Sequence, residues 1–79
     1  MKEITIIING TPVTVTEKWL SYAQIVELAY GHPPEGGNIV YSITYERGHG
    51  DKPEGSLVEG DTLKVKEGML INVTRSDKS

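Results

Sequence analysis

The stretch from Ser21 to Gly31 constrains the fold most, because it carries a helix start and a helix stop at a fixed distance. Ser21 and Gln24 have the spacing of a capping box, in which each side chain bonds the backbone of the other residue. Gly31 suits the left-handed conformation that ends many helices, and the following His32-Pro-Pro sequence prevents its continuation. The pattern therefore predicts one helix of about ten residues.

The apolar residues of this helix recur at spacings of three and four, so one face is predicted to pack against a sheet. The predicted buried face consists of Tyr22, Ile25, Leu28 and Ala29, with Val26 at its margin. Because the 79-residue chain has no cysteine, no disulfide supports the fold, and this face must contribute to a single efficient core.

Two alternating segments precede the helix. Residues 4–8 place isoleucine at every second position, and Asn9-Gly10 favours the two positive φ values of a type I′ turn. The second segment, residues 11–16, contains Pro12, which cannot donate a ladder hydrogen bond. The pattern predicts a β-hairpin whose second strand lies at a sheet edge.

Three further strands are predicted after the helix, over residues 38–46, 62–66 and 69–74. In the first of them, the isoleucines and tyrosines at positions 39, 41, 43 and 45 are predicted to face the core. The order of strand, strand, helix and three strands predicts an α+β domain with a mixed five-stranded sheet and one helix across it. This is the β-grasp (ubiquitin-like) arrangement, with the first and last strands adjacent at the centre.

The apolar alternation stops after Thr74. The sequence therefore predicts a domain over residues 1–74 and a flexible C-terminal tail over residues 75–79. The five tail residues are Arg75, Ser76, Asp77, Lys78 and Ser79.

The hairpin at Asn9-Gly10, the helix with its Gly-His-Pro-Pro stop and the closing residues 69–75 together resemble bacterial ubiquitin-like proteins of the multi-ubiquitin-domain type. The resemblance covers nearly the whole chain. It implies a protein modifier with ubiquitin-activating-like and ubiquitin-conjugating-like enzymes as partners, often with a deconjugating or processing peptidase. It also implies a bacterial ubiquitination-like pathway, for which antiviral defence is a plausible setting.

By that resemblance, the conjugation tail of residues 75–79 is adenylated and transferred to a target. Ubiquitin and its sulfur-carrier relatives end in Gly-Gly, whereas no glycine follows Gly68 in this chain. Three explanations stay open: a peptidase trims the tail to an end within residues 74–78, the partner enzymes accept a bulkier terminus, or the protein is not conjugated. A sulfur carrier needs a thiocarboxylate on a terminal glycine. Of the functions considered, this one therefore agrees least with the C-terminal sequence.

A non-covalent protein-binding module is the alternative function. Leu70 and Val40 are its candidate partner-binding residues, because ubiquitin-like domains often bind through apolar residues on the exposed sheet face. Trp19 and Tyr30 are further candidates. For Trp19 and Leu57, core packing is the favoured interpretation.

Composition argues against several other classes of function. A formal net charge of −3 without a basic cluster in the sequence disfavours nucleic-acid and anionic-membrane partners. His32 and His49 lie in a helix stop and a glycine loop, with no hydroxyl spaced to form a nucleophile pair. We therefore expect no enzymatic activity, cofactor or metal. Because a strand pattern begins directly after Met1, in place of a signal peptide, we expect a cytoplasmic protein.

Overall fold

The computed structural model describes residues 2–50 and 53–77. Within these residues it contains seven strands and one helix. In chain order they are β1 (Ile4–Ile8), β2 (Thr11–Val15), β3 (Trp19–Ser21), α1 (Tyr22–Tyr30), β4 (Ile39–Glu46), β5 (Gly55–Leu57), β6 (Thr62–Lys64) and β7 (Leu70–Asp77).

The main sheet has five strands in the order β2-β1-β7-β4-β5. β1 and β7 are parallel, with Ile7 opposite Leu70 and Ile8 opposite Ile71, and the other neighbouring strands are antiparallel. Helix α1 packs on one face of this mixed sheet. The predicted β-grasp fold is confirmed, including the central position of the first and last strands and the edge position of β2.

The hairpin turn between β1 and β2 has the predicted backbone. Asn9 has a φ of 51° and Gly10 a φ of 82°, the pair of positive values that a type I′ turn requires. The turn fixes the register that places Ile6 opposite Val13. That register directs the isoleucines at positions 4, 6 and 8 into the core.

Both ends of α1 are capped as the sequence predicts. The Gln24 backbone N–H donates to Ser21 Oγ at 3.1 Å, and the Ser21 N–H donates to Gln24 Oε1 at 2.8 Å. At the other end, Gly31 has a φ of 79° and its N–H donates to the Glu27 carbonyl at 2.7 Å. Local hydrogen bonds therefore fix both ends of the helix.

The buried face of α1 is narrower than predicted. Tyr22, Ile25 and Val26 are buried, whereas Leu28 is 39% exposed. Each residue turns a helix by about 100°, so Leu28 lies about 110° from the centre of the buried face. The prediction that Leu28 is buried is wrong because spacing alone did not locate that centre.

A second, two-stranded sheet pairs β3 with β6, placing Trp19 opposite Lys64 and Leu20 opposite Leu63. The sequence interpretation missed β3 as a strand and assigned the β6 segment to the main sheet, where β5 is the fifth strand. Strands of three residues are too short to show an alternating pattern, so their pairing depends on tertiary structure.

The last strand is longer than predicted. β7 continues to Asp77, and β4 pairs with it through Tyr41 opposite Arg75, Val40 opposite Ser76 and Ile39 opposite Asp77. The predicted strand end at residue 74 is therefore wrong, because backbone pairing does not require apolar side chains. Lys78 and Ser79, which complete the predicted tail, lie outside the described residues.

Candidate functional site

The C-terminal part of β7 loses one of its two neighbouring strands after Val73. β1 ends at Ile8, and the Asn9 side chain takes its place: the Val73 N–H donates to Asn9 Oδ1 at 2.8 Å, and Asn9 Nδ2 donates to the Val73 carbonyl at 3.2 Å. Across the sheet, β5 pairs with β4 only opposite residues 43–45. Residues 39–42 and 74–77 therefore form a two-stranded projection, which we call the C-terminal ribbon.

The open side of β4 in this ribbon is covered by a tyrosine from the helix. The Tyr22 hydroxyl donates to the Tyr41 carbonyl at 2.9 Å and accepts from the Tyr41 N–H at 3.2 Å. Two-stranded ribbons are at best marginally stable in water. We therefore expect the residues of β7 beyond Val73 to separate from the sheet more easily than the rest of that strand.

Side chains from the helix and its stop hold the ribbon in place. The Tyr30 hydroxyl donates to the Val73 carbonyl at 3.0 Å. Glu35 Oε1 lies 3.6 Å from Arg75 Nε and accepts a hydrogen bond from the Tyr41 hydroxyl at 3.3 Å. Because the Arg75 and Glu35 side chains are 45% and 44% exposed, their ion pair contributes at most about 1 kcal/mol. This ion pair alone is therefore a weak restraint on the ribbon.

The structure places the predicted tail residues as follows. Arg75 and Ser76 have exposed side chains in paired positions of the ribbon, Arg75 on the helix side and Ser76 beside Val40 on the opposite face. For Asp77 only the backbone is described, and Lys78 and Ser79 lie outside the described residues. The segment predicted to be free from residue 75 is therefore paired with β4 as far as Asp77.

The two predicted partner-binding residues are far apart. Leu70 and Val40 are both half-buried on the sheet face opposite the helix. Val40 is opposite Ser76, six residues from Leu70 along β7, which corresponds to about 20 Å. They cannot form one small contact surface.

Leu70 instead lies beside two apolar residues that the sequence interpretation did not select. Ile7 is opposite both Leu70 and Pro12, and all three face away from the helix. We call Ile7, Pro12 and Leu70 the apolar patch. The alternation of β1 already places Ile7 outside the core, and the Asn9-Gly10 turn fixes Pro12 opposite it, so register analysis would have found this group.

The two residues for which core packing was favoured behave differently. Leu57 is 5% exposed, which confirms the prediction, whereas Trp19 is 56% exposed, so that prediction is wrong. Leu20, the next residue in β3, is 2% exposed and takes the inward position. Neighbouring residues of a strand face opposite sides, so recognising β3 as a strand would have predicted that Trp19 faces solvent.

Each histidine ring lies within hydrogen-bond distance of a backbone carbonyl oxygen. His32 Nδ1 lies 3.0 Å from the Pro33 carbonyl oxygen, and His49 Nε2 lies 3.0 Å from that of Val65. In residues 2–50 and 53–77, no three His, Cys, Asp or Glu side chains are grouped in a way that could hold a metal ion. No helix in the described part of the chain is long and apolar enough to span a membrane.

Comparison with known proteins gives one assignment. The family model described as Multiubiquitin matches residues 4–77, from the first residue of β1 to the last of β7. No curated protein and no solved structure gives a match to the chain.

Proposed function

The chain belongs to the multiubiquitin family, and from this premise we propose that it is a ubiquitin-like protein modifier whose C-terminal end is activated and transferred to a target. Its partners would be an adenylating enzyme and a conjugating enzyme of the ubiquitin type, with a peptidase where the tail is trimmed. Because adenylation consumes ATP, we place this bacterial ubiquitination-like pathway in the cytoplasm.

The C-terminal ribbon is the observation that supports this proposal best. A modifier must extend its terminal carboxylate away from its folded body without losing the fold. Ile71 and Val73 are buried and anchor the central part of β7, whereas residues 74–77 pair with β4 alone. Separating the ribbon would release the six residues 74–79, which span about 20 Å when extended.

The chain itself supplies only the carboxylate. One oxygen of that carboxylate would bond to the α-phosphorus of ATP, and pyrophosphate would leave. A nucleophile of the partner enzyme would then attack the acyl carbon and displace AMP. No glycine follows Gly68 in this sequence, so the carboxylate would belong either to a tail residue exposed by trimming or to a later residue accepted by a wider enzyme channel.

Mass spectrometry tests the modifier function directly. The protein is incubated with ATP and the ubiquitin-activating homologue encoded nearest to it, with and without the associated peptidase. We expect an adduct of one AMP group or an enzyme-linked ester at the C-terminal peptide. The control replaces ATP with an analogue whose α–β bond cannot be cleaved. An unmodified C-terminus beside an enzyme with verified ATP binding would argue against the proposal.

The apolar patch favours a second candidate, a non-covalent binding module. Ile7 and Leu70 are half-buried and Pro12 is exposed, so the three present a contiguous apolar surface on this sheet face. Their β7 neighbours on that face, Asn72 and Thr74, are polar. Such a contiguous group is a common site of protein contact.

Leu70→Asp tests the apolar patch. We expect it to weaken binding of the activating enzyme at least tenfold, because it introduces a charge where a partner would bury apolar surface. Thr44→Asp is the matched control, since it adds the same charge at an exposed position of the same sheet face, outside both the apolar patch and the C-terminal ribbon. Calorimetric titration measures both variants, and equal weakening by the two would exclude the patch as the contact surface.

A further inference from the structure

Four lysines that are far apart in the sequence converge on one pocket of about 320 Å³. They are Lys2, Lys18, Lys64 and Lys66, and we call this site the lysine pocket. Ile4 and Val65, both buried, contribute apolar lining. The basic residues form no cluster in the sequence, but folding brings some of them together. The pairing of β3 with β6 places Lys18 close to Lys64.

The lysine pocket has a local charge opposite to that of the whole protein. It holds four of the eight basic residues of a chain whose formal net charge is −3. Two carboxylates, those of Glu3 and Glu67, also line it. Glu67 Oε1 already accepts a hydrogen bond from the Thr5 N–H at 2.9 Å, so one oxygen of this carboxylate is engaged by the backbone of β1.

Trp19 lies beside the pocket and is unusually exposed. It is opposite Lys64 in the β3-β6 pair, so the two Cβ atoms are about 5 Å apart on the same face. The indole ring is the largest exposed apolar side chain in the described residues, at 56%. Tryptophan is enriched among the residues that dominate binding energy in protein interfaces, and an exposed one beside several cations indicates a contact surface.

We propose that Trp19 and the lysine pocket dock an acidic peptide segment of a partner protein. Carboxylates of the segment pair with the ammonium groups of Lys64, Lys66 and their neighbours, and an apolar residue packs against the indole. Charge complementarity identifies the occupant: an acidic segment is attracted to this surface and repelled by the rest of the protein. The site does not involve the C-terminal ribbon. The docking proposal can therefore be tested independently of the modifier function.

A peptide fits this surface better than a nucleic acid. Nucleic-acid sites need a row of phosphate contacts along an extended basic face, whereas the four lysines of this site line a single pocket. Glu3 and Glu67 interrupt its positive charge, so a continuous phosphate backbone could not follow it, whereas a short acidic segment can place its few carboxylates at the ammonium groups. A pocket of about 320 Å³ accommodates a few side chains.

Intrinsic fluorescence provides a direct test, because Trp19 is the only tryptophan in the chain. The probe is a synthetic peptide, acetyl-Glu-Asp-Ile-Asp-Glu-amide, which has no aromatic residue. We expect a saturable change in Trp19 emission that weakens as salt rises. The variant Lys64→Gln/Lys66→Gln should raise the dissociation constant at least tenfold.

The matched control is Ala23→Glu/Asn38→Asp, which lowers the formal net charge by the same two units at exposed positions outside the pocket. It should leave the dissociation constant within twofold of the parent value. Equal weakening in both variants, or no saturable signal, would overturn the proposal. Tighter binding of a single-stranded oligothymidylate through the same two lysines would overturn it too, in favour of a nucleic-acid site.

Discussion

Ile71→Ala is expected to lower the free energy of unfolding by about 3–5 kcal/mol. Ile71 is 1% exposed and lies in the central strand, opposite Ile8 on one side and Tyr45 on the other. Its truncation leaves a cavity where two sheet neighbours and the helix meet. A domain of this size has a total stability of roughly 4–12 kcal/mol, so this loss is a large fraction of the total.

Urea unfolding followed by circular dichroism measures this loss. Asn72→Ala is the matched control, because Asn72 is the next residue of β7 and is exposed on the opposite face. We expect it to change stability by no more than about 0.5 kcal/mol. A loss below about 1.5 kcal/mol for Ile71→Ala would show that the centre of β7 does not anchor the core.

Deleting residues 75–79 is expected to abolish the C-terminal adduct while leaving the domain folded, because a chain that ends at Thr74 stops one residue after the buried Val73 and cannot extend into a partner enzyme. The deletion removes the Glu35–Arg75 ion pair and the last three pairs of the C-terminal ribbon. Because the ion pair is largely exposed and the ribbon has two strands only, the stability loss should be about 1 kcal/mol or less. Mass spectrometry with the activating enzyme and ATP measures the adduct, and thermal unfolding measures the fold.

Glu35→Gln distinguishes the effect of losing the tail residues from the effect of weakening the ion pair that helps to hold them. This variant removes the negative charge opposite Arg75 but keeps every residue of the tail. It should form the adduct at least as readily as the parent protein, because the ribbon is then held less firmly. An adduct formed by the deletion variant would show that residues 75–79 do not carry the donor carboxylate.

Features defined by local chemistry were predictable from the sequence. The Asn9-Gly10 turn, the Ser21–Gln24 capping box and the Gly31 stop depend on residues a few positions apart, and all are found. The alternation of β1 and β4 was also correct, since five or more residues suffice to show a period of two. Periodicity alone does not decide which face of β4 is buried, but the favoured series of isoleucines and tyrosines is the one that faces the core.

Features defined by pairing between distant segments were not predictable in the same way. The strand β3 has three residues, and its exposed Trp19 is explained only by pairing with β6. The extension of β7 through Arg75 depends on β4, more than thirty positions earlier, and not on its own polar sequence. The lysine pocket combines residues from both ends of the chain, so no window of the sequence contains it.

The Tyr22 hydroxyl has a consequence for how copies of this domain behave beside one another. An unpaired strand edge is a template on which a second chain can add a strand and begin to aggregate. Tyr22 occupies both backbone groups of Tyr41 in the middle of the open edge of β4. A neighbouring copy would have to displace that hydroxyl before it could extend the sheet. One phenol group thereby disfavours sheet extension between neighbouring copies at this edge.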